Sequence, residues 1–409
     1  MRLCRNIVLS ILAVLLLLYA AIGLFLASGK TLGERHAPFP HAAFDYANGS
    51  FADYIAYARE QITAGAVVVP DDAVIANLLP FELVPPAQCP RDAEGRVEQG
   101  IVLIHGLFET PYSMRALGED LNARCLHVLA LLLPDHGTRP GDFLDAHWED
   151  WSAATRFATA QLAQRANTVI LGGHSAGGAL SLLEALRYPR ADALILFAPA
   201  LAITPAARLA KFLVPLGRLL PGAAWVGLGN DDAVYRYESI TFTAAAEMQA
   251  LTEALAQAWR GQQRQLPIFT VATVEDSTVG TPQILDFMAQ NAEPRSRTLL
   301  YSQHAHPGGR NVDVVASHAP DQGVLSLSHL GLMIPPDDPH YGRDGAYRNC
   351  GHYESGNEVA MLASCQAGQR DYYGEPNAEN STQGVVERIA FNPWYPQLLQ
   401  RIETFLDSL

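Results

Sequence analysis

From Gly100 onward the chain alternates short apolar runs with amphipathic stretches of helical period. Residues 101–104, 126–133, 168–171, 193–197 and 267–274 are apolar runs too short for a buried helix, and they read as buried strands. Between them, residues 113–123, 151–165 and 176–187 read as helices; the second places Trp151, Ala154, Phe157 and Leu162 near one face. Strands and helices in strict alternation predict a mostly parallel sheet covered by helices on both faces. Residues 199–264 break the rhythm and show no clear strand. Thr204-Pro205 suits the cap and first turn of a helix running to residue 220. Residues 243–260 carry Met248, Leu251, Leu255 and Trp259 at helical spacing. This segment reads as a helical cap over the strand ends, with an ordinary pair of packing helices as the alternative. The alternation resumes with a helix from residue 281 and a strand at 298–301, and residues 394–409 form a closing amphipathic helix.

The N-terminus follows a different pattern. Arg2 and Arg5 precede residues 7–27, where Ser10 and Tyr19 are the only polar-capable side chains. Such a helix would be roughly 32 Å long, enough to cross a bilayer. The expectation is an uncleaved membrane anchor through residues 7–27. A cleaved signal peptide is the competing reading, with small residues at Ala27-Ser28-Gly29. Lys30 and Arg35 follow the span, so the positive-inside bias is weak. The organisation expected is an anchor or signal segment at 1–29, a linker and extension at 30–99, core at 100–198, cap at 199–264, and core again at 265–409 with an insertion at 335–390.

Composition refines this picture. With 49 % hydrophobic and 17 % charged residues the chain should fold, and its net charge of −14 argues against a nucleic-acid partner. Four cysteines follow the apolar segment. Their even number suits two disulfides in an oxidising compartment, with Cys89–Cys125 and Cys350–Cys365 the pairs closest in sequence. The catalytic part is therefore expected on the exported, periplasmic or extracellular side. No CxxC pair occurs, and His304-x-His306 with Asp313 has no recognised metal-ligand spacing, so no metal or cofactor is expected.

The chemistry centres on "VILGGHSAGGAL". Gly173-His174-Ser175-Ala176-Gly177 fits G-x-S-x-G after an apolar run and before a helix, which presents a serine hydroxyl at a sharp strand-to-helix turn. A serine needs a base, an acid to orient that base, and donors for the oxyanion. His105-Gly106 ends the strand at 101–104 and would aim the Leu107 amide at the site; the Ala176 amide would be the second donor. Asp276 follows the strand at 267–274, with Glu275 as its competitor. Among the histidines after it, His329 is favoured over His318, His304 and His306, because it follows the apolar-alternating "VLSLS".

Together "LIHGLFETPYSM", "LLLPDHGTRPGDF", "DAHWEDW", "GGHSAGG" and "VEDSTV" resemble the α/β-hydrolase family, in its monoacylglycerol-lipase and carboxylesterase-like branch, over roughly residues 100–405. The resemblance implies an α/β-hydrolase fold with a helical cap, a Ser175–His329–Asp276 triad with Leu107 and Ala176 as oxyanion donors, hydrolysis of carboxylic esters, and no cofactor. An apolar cap beside a membrane anchor points to a lipid-like or short acyl ester as the small-molecule substrate. Asp135 stands where the family commonly has glycine. An aminopeptidase or amidase with the same triad is an alternative, with Glu238, Glu247 or Asp231 available to hold a substrate ammonium. A non-catalytic binding protein on the same fold is a third.

Overall fold

The computed structural model describes every residue except 1, 41, 261–264, 292 and 355–357. The expected end of the cap at residue 264 lies outside the described residues. Helix α1 (Arg2–Ala27) contains the one stretch, Val8–Ala27, that is long and apolar enough among the described residues to cross a membrane. Next come α2 (Phe51–Gly65), capped by Ser50 through the Asp53 amide, and α3 (Asp72–Leu78), capped by Asp71.

The core follows as β1 (Phe81–Leu83), β2 (Val97–Ile104), α4 (Tyr112–Ala123), β3 (His127–Leu131), α5 (Trp148–Leu162), β4 (Ala166–His174), α6 (Ala176–Arg187) and β5 (Ala193–Phe197). The cap holds α7 (Ala210–Leu219), a ribbon of β6 (Trp225–Gly227) and β7 (Ile240–Thr241), and α8 (Phe242–Arg260). The core resumes with β8 (Ile268–Thr273), α9 (Thr281–Gln290), β9 (Arg297–Ser302) and β10 (Val312–Ala316). The chain ends with α10 (Val359–Gln366), β11 (Tyr372–Gly374), β12 (Val386–Arg388) and α11 (Tyr395–Leu406).

Eight strands form one sheet in the order β1-β3-β2-β4-β5-β8-β9-β10, parallel throughout except for β1, which pairs antiparallel with β3. Central strands are buried along their whole lengths, as in β3, β5 and β8, and that is why they read as unbroken apolar runs. Three features depart from the sequence reading. The edge strands β1 and β10 were not expected: one has three residues and the other is half exposed, so neither forms an apolar run. The cap does contain strand, because β6 and β7 pair antiparallel through only a few residues. The helix expected from Thr204-Pro205 is split into a 3₁₀ turn, Pro205–Leu209, and α7. The disulfides are Cys89–Cys125 and Cys350–Cys365, with Cα–Cα separations of 5.5 and 6.0 Å.

Strand order decides where chemistry can sit. The chain starts the sheet at edge strand β1, passes to β2, steps back to β3 between them, and then crosses to β4 on the other side of β2. Loops leaving the carboxyl ends of β2 and β4 therefore part in opposite directions and open a crevice there. Ile104 pairs with Gly173, so the His105-Gly106 turn and Ser175 emerge side by side.

Candidate active site

Ser175 occupies the turn between β4 and α6 with φ 52° and ψ −113°, a backbone conformation that disfavours a side chain. Two glycines make the turn possible. A Cβ on Gly173 would lie 2.3 Å from the Gly177 carbonyl carbon, and one on Gly177 would lie 2.1 Å from the Ile104 oxygen. The turn is held by Ser175 N–H donating to the Phe197 carbonyl (2.9 Å) and Ala200 N–H donating to the Ser175 carbonyl (3.0 Å). Ala176 is the first residue of α6, so its N–H has no acceptor within the helix. The positive end of α6 faces the same point.

The Leu107 amide lies in a loop fixed by two neutral histidines. His105 Nε2 accepts the Leu133 amide (3.0 Å) while Nδ1 pairs with the Gly106 carbonyl (2.8 Å). His136 Nε2 accepts the Phe108 amide (3.1 Å), with Nδ1 against the Pro134 carbonyl (2.8 Å). Burial holds the His105 ring down to about 4 and pushes His136 well below its ordinary value, so both stay uncharged. The cap clamps this loop from above: Tyr237 N–H donates to the Phe108 carbonyl (2.8 Å) and Thr110 Oγ1 to the Tyr235 carbonyl (3.1 Å).

Asp276 and His329 are in contact. His329 Nδ1 lies 2.6 Å from Asp276 Oδ2, and both side chains are buried. Asp276 Oδ1 accepts the Thr278 and Val279 amides at 2.7 and 3.0 Å. Burial pushes the Asp276 carboxyl up, but the His329 ring and the two amides outweigh it and hold the group below its ordinary value. Burial likewise lowers His329, against the opposing pull of Asp276, leaving the ring neutral. Among the described residues no hydrogen bond joins Ser175 Oγ to His329; the ring of His174, the residue before the serine, has its centroid 4.6 Å from that of His329.

The competing candidates are engaged elsewhere. Glu275 accepts from Gln303 N–H and Thr273 Oγ1 at 2.7 and 2.8 Å. His318 pairs with the Leu325 carbonyl, and His304 pairs with Glu379. Asp313 binds Arg401, so it does not join His304 and His306 in a ligand set. In the cap, Asp231 accepts the Glu238 and Ser239 amides and Glu247 accepts the Trp148 amide.

Two supports were not read from the sequence. The first is a buried pair behind the serine. His174 Nδ1 lies 2.9 Å from Glu109 Oε1, and His174 Nε2 lies 3.1 Å from the His329 carbonyl. Burial opposes charge on both, yet each stabilises the other: His174 is raised and Glu109 held well below the usual carboxylate range. Glu109 is four residues past His105 and His174 immediately precedes Ser175, but no spacing rule joins them. The second support is the 335–390 insertion. Its buried Glu375 accepts from Ser277 Oγ (2.5 Å) and Arg388 Nε (3.1 Å), while Arg388 Nη2 donates to Thr278 Oγ1 (2.9 Å). The insertion thus grips the loop that carries Asp276.

The buried pair predicts a pH signature. A raised His174 contributes stability that is full below its unfolded value, near 6.5, and is lost as pH rises through its folded value. A depressed Glu109 contributes stability above its unfolded value, near 4.3, that is lost as pH falls. Glu109→Gln should therefore destabilise most between those limits, by roughly 3–5 kcal/mol. Thermal unfolding of the full chain in detergent should show the gap between wild type and variant narrowing as pH rises through the raised folded-state value of His174. A gap independent of pH would show that the pair is not ionised.

A family model described as "Alpha/beta hydrolase family" matches residues 101–330. A 90-residue stretch, 22 % of this chain, is 36 % identical to the thermostable monoacylglycerol lipase of Bacillus sp. (strain H-257); the match spans 36 % of that relative's length. Solved structures with similarity include the monoacylglycerol lipase of Paleococcus ferrophilus (20 % identity, TM-score 0.42, 55 % of this chain and 88 % of that one). Another is Est1E from Butyrivibrio proteoclasticus with ferulic acid bound (18 % identity, TM-score 0.40, 58 % of this chain and 84 % of that one).

Proposed function

We propose, from the premise that this chain belongs to the α/β-hydrolase family, that it is a serine hydrolase of carboxylic esters, acting through Ser175, His329 and Asp276. The observation that carries the reading is the buried 2.6 Å pair of His329 and Asp276 beside the strained Ser175 turn. His329 removes the Ser175 proton as Oγ adds to the ester carbonyl. Asp276 fixes the ring tautomer and stabilises the cation that forms. The tetrahedral oxygen accepts the Leu107 and Ala176 amides, each such donor lowering the barrier by about 3–4 kcal/mol. His329 then protonates the leaving alcohol, and water releases the acid from the acyl-enzyme. The stretch shared with a monoacylglycerol lipase supports a lipid-like ester as the substrate class. We assign α1 as a membrane anchor, with the hydrolase on the exported side, where its two disulfides persist.

A panel of p-nitrophenyl esters against aminoacyl-anilides tests the reaction class. Turnover of esters in excess of anilides is expected; the reverse preference would replace esterase by aminopeptidase. The base is neutral above a value set below its ordinary 6.5, so kcat/KM should rise with pH through an apparent pKa under about 6.5 and then level. An acid limb above 7 would exclude His329, in this environment, as the base.

A further inference from the structure

The anchor helix does not stand apart from the hydrolase: its last two turns pack along α7 of the cap. Tyr19 Oη donates to the Phe212 carbonyl (2.6 Å). A Cβ on Gly23 would lie 3.1 Å from the Leu216 side chain, and one on Gly222 would lie 3.1 Å from the Ala27 backbone, so the first glycine seats a leucine of α7 and the second admits a close backbone approach. The Lys30 ammonium donates to the Trp225 carbonyl. Contacts thus advance together along both segments, from Tyr19 against Phe212 to Ala27 against Gly222.

The apolar face of α7 that meets α1, with Phe212 and Leu219 one turn either side of Leu216, stays largely uncovered around the contact. Leu209, Phe212 and Leu219 are 60, 59 and 77 % exposed, and Phe25 at the end of α1 is 77 % exposed. Around them lie Arg208, Lys211 and Arg218. Residues 193–229 contain no Asp or Glu, in a chain that carries 42 of them. An apolar stripe bordered by cations, free of carboxylates, suits the boundary between anionic headgroups and acyl chains.

We infer that α1 and α7 form one membrane-docking unit, in which α7 lies in the headgroup–acyl boundary of the leaflet from which α1 emerges. This rests on the reading of α1 as an anchor. Cations on α7 are costly in the hydrocarbon centre, so the turns of α1 beside them stand at the boundary too. Of the apolar stretch Val8–Ala27, residues 8–18 are then left for the core, about 17 Å of helix, a short span met by local thinning of the bilayer. Tyr19 marks the polar boundary, where amphipathic rings collect. The cap, which also clamps the Leu107 loop, is thereby held on the surface that would supply a lipid ester.

The test places an environment-sensitive fluorophore on the full chain. Cys4→Ser removes the one cysteine outside the two disulfides. Phe212→Cys, Leu219→Cys, Leu16→Cys and Val359→Cys then provide separate labelling sites. Val359 is 74 % exposed on the insertion and serves as the aqueous control. Each protein is reconstituted into phosphatidylcholine–phosphatidylglycerol vesicles carrying lipid brominated in the upper acyl chain. Labels at 212 and 219 should shift to shorter emission wavelength and be quenched, while the label at 359 is not. Quenching at 16 without quenching at 212 and 219 would overturn the docking and leave the anchor standing. No quenching at 16 would overturn both. None of these readouts depends on ester hydrolysis, so failure of the esterase reading is told separately by the substrate panel.

Discussion

Ser175→Ala is expected to lower kcat/KM for ester hydrolysis by roughly 10⁴-fold or more, while leaving the fold intact. The reason is local. Removing one oxygen deletes the nucleophile, but the turn depends on Gly173, Gly177 and backbone bonds of residue 175, and none of these involves the hydroxyl. An alanine at this positive φ meets the same backbone strain as the serine it replaces. Fluorophosphonate labelling gives an independent measurement. The wild-type chain should form one adduct at Ser175, and the variant none. Retained labelling in the variant would place the nucleophile elsewhere and remove the basis of the acyl-enzyme mechanism.

What was legible in the sequence follows from how much of each element is buried on both faces. The strands β2, β3, β4, β5 and β8 are enclosed by helices, so their residues form apolar runs that turn signals bound. Edge strand β10 alternates between half-buried and exposed positions, and β1 is stapled to the sheet by only three residues. Such elements owe their conformation to a neighbouring strand rather than to their own pattern. The candidate site divides in the same way. The Ser175 turn is written in adjacent glycines, because the backbone requirement is local. The Glu109–His174 pair joins residues 65 positions apart, and the Glu375–Arg388 grip on the Asp276 loop spans about 110. No local rule signals a contact made only when two loops meet above the sheet. His105 and His136 were visible as residues, yet their role in fixing the Leu107 loop depends on which ring nitrogen faces which amide.

Asp276→Asn should reduce kcat by about 10⁴-fold with little change in the structure around it. In the wild type the carboxylate oxygen 2.6 Å from His329 Nδ1 accepts that nitrogen's proton-bearing side, which leaves Nε2 free to take a proton from serine. Asparagine can turn its NH₂ to the ring. Nδ1 then becomes the acceptor, the proton moves to Nε2, and the base presents the wrong tautomer. The opposing orientation, with the amide oxygen toward Nδ1, would place the NH₂ against the Thr278 and Val279 amides, which are donors themselves. The local hydrogen-bond pattern therefore selects the inactive arrangement. Losing the negative charge also removes the force that opposes burial at His329, so whatever activity remains should have its acid limb moved further down in pH. Asp276→Ala separates charge from tautomer, because it removes the carboxylate without offering a competing donor. If the alanine variant retains more activity than the asparagine one, tautomer control dominates; if the asparagine variant stays near wild type, Asp276 is not the orienting acid and the neighbouring Glu275 must be tested in its place.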